Sequence, residues 1–106
     1  RRSARLCDLA AHVYFQHNDL GEALRFAREA LLAQGSLQRN LFLVEVHLRL
    51  NESELAHEEA LAACRDYSDS WNAHMAASRT AYFIGAYREA FEHAMEAIGL
   101  KDDLAW

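Results

Sequence analysis

Residues 18–30 read Asn-Asp-Leu-Gly-Glu-Ala-Leu-Arg-Phe-Ala-Arg-Glu-Ala, with Ala23, Ala27 and Ala30 spaced four and three apart. The same spacing returns in Ala56, Ala60 and Ala63, and again in Ala90, Ala94 and Ala97, displaced by 33 and then 34 residues (23 to 56, 56 to 90). One such triplet in an alanine-rich chain carries no information, but three in register mark an internal repeat. Four-and-three spacing puts each triplet on one stripe of a helix, and a stripe of methyl groups lets another helix approach closely. Each triplet therefore marks the second helix of a hairpin whose first helix lies upstream. Working outward, the expected pairs are 4–17 with 20–33, 38–50 with 53–65, and 71–84 with 87–99.

The intervening residues agree with this division. His17-Asn18-Asp19 breaks the first hairpin, with Asp19 placed to cap the next helix and Glu22 at capping-box spacing. Asn51-Glu52-Ser53-Glu54 does the same in the second, and Ile84-Gly85-Ala86 in the third, where glycine is free to take a positive φ. Gly35-Ser36 and Tyr67-Ser68-Asp69-Ser70 connect successive hairpins. Composition points the same way. A chain of 106 residues with 52% hydrophobic content, four glycines and no proline is one domain, and it is too poor in turn residues for a β-sandwich. The fold class is all-α.

A period near 34 with paired helices resembles the tetratricopeptide repeat. The residues that carry the likeness are Cys7, Ala10-Ala11 and Tyr14 before the first alanine triplet, Asn40, Leu43-Val44 and His47 before the second, and His74, Ala77-Ser78 and Ala81 before the third. Asn18 to Leu24 and Gly85 to Phe91 match the family's turn best. Val44 replaces the usual small residue, Ser53 replaces the turn aromatic, and Gly35, Ser68 and Asp102 stand where the family often has proline. Sel1-like repeats share this architecture; pentatricopeptide repeats bind RNA, which an acidic chain disfavours. The resemblance implies a single domain over 1–106, a right-handed superhelical solenoid with repeats at about 4–36, 37–70 and 71–104.

Stacked hairpins share a continuous core and bend into a superhelix. The resemblance implies that first helices line the concave face. The groove would then present Asp8, His12, Phe15 and Gln16, then Leu41, Glu45, Leu48 and Arg49, then Met75, Arg79, Tyr82 and Phe83. Phe15, Leu48 and Tyr82 would form an apolar stripe, with Arg49, Arg79, Asp8 and Glu45 as charged anchors. Such a surface suits an amphipathic helix or an extended apolar peptide, so the expected partner is another protein. Positions that in some family members clamp a terminal carboxylate carry Asp8, His12, Phe42 and Met75 here, and only Arg79 is cationic, which disfavours an acidic C-terminal peptide.

Other chemistries lack their motifs. The net charge of −5 opposes a phosphate-rich partner, and no apolar run approaches the roughly 20 residues of a membrane span. There is no HExxH, CxxC, His-x3-His, phosphate loop or GxSxG. Glu54-x-x-His57 occurs once, where carboxylate-bridged sites need it twice. No metal, cofactor or catalytic activity is expected. Glu52, Glu54, Glu58 and Glu59 read as a solvated face, and Cys7 and Cys64 as small buried hydrophobes that point to a reducing, cytoplasmic setting, with the periplasm as the alternative for a piece of an envelope protein. The chain opens on Arg1, and Leu104 and Trp106 follow the last repeat, so a cut from a longer array is expected. Association through the open C-terminal end, using Phe91, Ile98 and Leu100, is the alternative. That alternative describes a structural or assembly segment of a secretion, envelope or polysaccharide-export protein.

Overall fold

A computed structural model describes residues 3–105, with side chains through residue 101. Arg1, Arg2 and Trp106, and the side chain of Leu104, lie outside the described residues, as do the readings that rest on them.

Among the described residues there are six helices and no strand: α1 (Ala4–Gln16), α2 (Leu20–Ala33), α3 (Leu37–Arg49), α4 (Ser53–Asp66), α5 (Trp71–Phe83) and α6 (Tyr87–Ala105). They form three hairpins, each helix packing on its neighbours in sequence, with α3 also touching α5. The expected boundaries hold to within a residue, except at the end of α6, which runs past Gly99 to Ala105. A lone glycine without a following proline does not stop a helix. Lys101, on the added turn, lies 4.7 Å over the Trp71 ring and ties the extension to α5.

The alanine stripes are the seams of the stack. Ala56, Ala60 and Ala63 are wholly buried, packed in one cluster with Val44, Cys64, Ala73 and Ala77. A second cluster joins Cys7, Ala11, Phe26, Ala27 and Ala30 to Leu43 of the next hairpin. The core thus runs along the stack, as a solenoid requires, and the molecule measures 40 × 31 × 20 Å.

The three hairpin turns are one structure repeated. Asn18, Asn51 and Gly85 each take a positive φ, of 61°, 61° and 82°. After each, a backbone N–H reaches back five residues: Asp19 to Tyr14, Glu52 to His47 and Ala86 to Ala81, at 2.8, 2.9 and 2.9 Å. This is the Schellman ending, in which a left-handed residue lets the chain satisfy the last carbonyls of a helix. The first helices begin alike too, with Ser3, Ser36 and Ser70 accepting hydrogen bonds from the N–H groups of Leu6, Arg39 and Ala73. Asp19 caps α2 through the Glu22 N–H. Glu52, at the N-cap position of α4, makes no side-chain cap and instead accepts a 2.8 Å hydrogen bond from buried His47.

Candidate functional site

A groove of about 640 Å³ runs along the first helices. Its apolar floor comes from Leu41, Phe42 and Val44 on α3 and Met75 and Ala76 on α5, with His12 reaching in from α1. Stacking explains the floor. The His12 ring lies 4.2 Å from Phe42, and the Phe15 ring meets Phe42 edge-on at 5.2 Å. His12 is held by its Nδ1 against the Asp8 carbonyl at 2.8 Å. Arg79 of α5 and Glu45 of α3 pair across the groove, each about half exposed, so the polar rim balances its own charge.

Of the residues expected to line this face, His12, Leu41, Glu45, Met75 and Arg79 do so. Asp8 lies in an adjoining hollow with Arg39, which clasps it through three hydrogen bonds of 2.7–3.1 Å while also donating to the Gln34 carbonyl. Those bonds to Asp8 raise the Arg39 pKa, and they tie α1, the end of α2 and α3 together. Gln16 is exposed and lies outside the groove lining. Phe15 is covered by Arg49, whose guanidinium sits 4.5 Å over the ring, and Leu48 packs against the core. The stripe of Phe15, Leu48 and Tyr82 is therefore not continuous. Tyr82 meets Tyr87 of α6 at a tilt and Phe83 edge-on, both it and Phe83 being exposed. Phe42, one residue from Leu41, belongs to the site and was read only as a carboxylate-clamp position.

Three histidines are buried in the stack. His57, next to Ala56 of the buried stripe, is 7% exposed, with Nε2 donating to Glu89 at 2.6 Å and Nδ1 2.8 Å from the Thr80 hydroxyl. It fastens α4 to α5 and α6. His47 is bonded to Glu52 as described, and His74 donates from Nε2 to the Ser68 carbonyl at 2.9 Å. Both cysteines are free and buried, as expected. No helix among the described residues is long and apolar enough to cross a membrane.

Six helices in three equivalent hairpins, with alanine seams and a groove on the first helices, have the architecture of a three-repeat tetratricopeptide domain. Comparison with solved structures agrees. The chain is similar to the crystal structure of MamA, with a TM-score of 0.89 and 15% identity over 97% of this chain and 61% of that one. It is similar to MamA MSR-1 C2, with a TM-score of 0.82 and 16% identity over 94% of this chain and 58% of that one. The second TPR of Spaghetti (RPAP3), solved with the HSP90 peptide SRMEEVD, gives a TM-score of 0.81 and 15% identity over 92% of this chain and 91% of that one. The chain thus spans about three fifths of the two MamA chains. No protein-family model matches the chain, and no curated protein matches it. At these identities the likeness is one of fold.

Proposed function

We propose that this chain is a non-catalytic protein-interaction module that receives an amphipathic helix or an extended apolar peptide in the groove of its first helices. The observation that carries the reading is the groove itself, with an apolar floor from Leu41, Phe42 and Met75 and the Glu45–Arg79 pair at its side. Apolar side chains of the ligand would fill the floor, and polar groups would exchange with the Glu45–Arg79 pair. Tyr82 and Phe83 stand one turn beyond Arg79 and extend the surface, and Asp8, Phe15, Gln16, Leu48 and Arg49 support or flank it.

Peptides selected by display against the folded chain test this by fluorescence anisotropy. Met75→Glu and Arg79→Ala are expected to weaken them by more than about fivefold, since interface anchors are each worth more than about 1 kcal/mol. Full binding by both folded variants sinks the reading. The peptide SRMEEVD serves as the negative control: Glu45 already holds Arg79, and the chain carries a net charge of −5.

A second reading rests on the outer faces of the stack. Tyr87, Phe91, Met95 and Ile98 leave one exposed apolar row on α6, and Leu6, Leu9 and Val13 leave another on α1. Such rows suit head-to-tail stacking of chains or further repeats in an assembly segment. Sedimentation velocity over a concentration series tests it, with Phe91→Glu abolishing any association; a wild-type chain that stays monomeric throughout removes the reading.

A further inference from the structure

Away from the groove, the junction of the second and third hairpins gathers Cys64 of α4, His74 of α5 and His93 of α6. The thiol and one nitrogen from each ring all lie within 4.8 Å of one another. A hydrogen bond fixes which nitrogen His74 offers. His74 Nε2 is 2.9 Å from the Ser68 carbonyl oxygen; a carbonyl only accepts, so Nε2 carries the proton and Nδ1 keeps its lone pair. That lone pair points at His93 Nδ1, 3.5 Å away. In the metal-free chain His93 Nδ1–H can donate to it; moving that proton to Nε2, which lies 3.9 Å from a Glu89 carboxylate oxygen, frees a second lone pair for a metal. Two ring nitrogens and a thiol thus gather in one small volume, the kind of donor set a metal ion takes.

We propose that Cys64, His74 and His93 bind a borderline-soft divalent metal ion, Zn²⁺ in the first place, that clamps the second hairpin to the third. One thiolate and two neutral imidazoles are the donor chemistry zinc selects, with a fourth position open to water. Tetrahedral bonds of about 2.05 Å to nitrogen and 2.3 Å to sulfur require an N···N edge of about 3.4 Å and an N···S edge of about 3.6 Å. The imidazole pair already has the first. The thiol needs to move by about 1 Å, turning from the Ala73 carbonyl to which it donates at 3.3 Å. On ligation the Sγ–H bond breaks, its electron pair becomes the metal bond and the proton leaves to solvent.

Two further observations support the site. Metal-binding histidines usually donate their other N–H to a carbonyl or carboxylate; here the Ser68 carbonyl accepts from His74, and the Glu89 carboxylate is the acid nearest His93 Nε2, 3.9 Å away. The fold does not need this set of side chains for packing. In repeat register the first junction has Leu31, Asn40 and Glu59 at the same positions (64 − 33, 74 − 34, 93 − 34) and builds the same hairpin stack.

The test is a titration of the metal-free full chain with Co²⁺ alone, followed by displacement with Zn²⁺. The wild type and Cys7→Ser are expected to show a thiolate-to-cobalt charge-transfer band that saturates at one equivalent and is lost on adding Zn²⁺. Cys64→Ser should lack the band. His93→Gln, a change at a partly exposed position, should keep its helical circular dichroism and weaken binding by more than about tenfold. No band in the wild type, a band retained by Cys64→Ser, or unaltered affinity in folded His93→Gln overturns the proposal.

Discussion

The left-handed turn residues allow the same substitution to be made twice with opposite signs. Gly85 has a φ of 82°, and a Cβ built on it meets nothing within 4 Å. Replacing it with alanine therefore produces no collision with the rest of the fold. What remains is the local penalty for an L-residue in the left-handed region, about 1–2 kcal/mol. Gly99 also has open space around its Cβ position, but it lies inside α6 with ordinary helical backbone. There alanine restricts the unfolded chain and favours the helix, a gain of about 0.5–1 kcal/mol. Gly85→Asn should cost less than Gly85→Ala, because asparagine tolerates this region and already fills the equivalent turns at Asn18 and Asn51. Urea unfolding followed by circular dichroism reads all three variants. With a slope of about 2 kcal/mol per molar urea, Gly85→Ala lowers the midpoint by about 0.5–1 M and Gly99→Ala raises it by about 0.25–0.5 M. An unchanged midpoint for Gly85→Ala, or a Gly85→Asn variant as weak as Gly85→Ala, refutes the claim that backbone sign governs this turn.

Four other outcomes are expected. Ala60→Leu overfills a wholly buried seam and lowers stability by about 1–3 kcal/mol, read from the same urea midpoints. Ser36→Ala and Ser70→Ala each remove a helix cap and cost about 0.5–2 kcal/mol, whereas Ser68→Ala, whose carbonyl rather than hydroxyl meets His74, changes little by the same measure. Thr80→Val deprives His57 of its buried hydroxyl partner and costs about 1–3 kcal/mol in thermal or urea unfolding. Asp8→Asn loosens the Arg39 clasp and lowers the midpoint, and the difference from wild type shrinks as salt is added, because the pair is partly open to solvent.

The hairpins were legible because their determinants are local and repeated. Alanine spacing, one turn every 33 or 34 residues and the Asp19 cap are written along the chain, and each acts within a few residues of itself. The serine caps were equally local and went unread: Ser3, Ser36 and Ser70 stand in the same 33 and 34 register as the alanines. The groove was legible as a face but not as a surface. Helical spacing placed Phe15, Leu41, Leu48, Tyr82 and their neighbours on first helices, yet it could not say that Arg49 would lie over Phe15 or that Leu48 would turn into the core. Those outcomes depend on which side chain wins the space between two helices, a contest between residues 34 positions apart. The same limit explains His57, whose partners, buried Thr80 and partly exposed Glu89, are 23 and 32 residues away.

The candidate metal cluster shows how that limit can be lowered. Cys64, His74 and His93 are 10 and 19 residues apart, a spacing no linear metal motif contains. Once the repeat register is known, the junction between any two hairpins is defined by three positions: the thiol position late in one second helix, the histidine position early in the next first helix, and the second histidine position midway along its partner. The first junction places Leu31, Asn40 and Glu59 there, and the second places three metal-binding side chains. Scanning donors by register rather than by spacing would have found the cluster from the sequence alone. The reasoning holds for any solenoid, because stacking equivalent hairpins turns distance along the chain into a fixed set of neighbours. Grafting gives a direct check: Leu31→Cys, Asn40→His and Glu59→His together should create a second cobalt site at the first junction. Failure of the triple variant to bind, with its helical content and the original site intact, would mean that the neighbour set is not transferable between junctions.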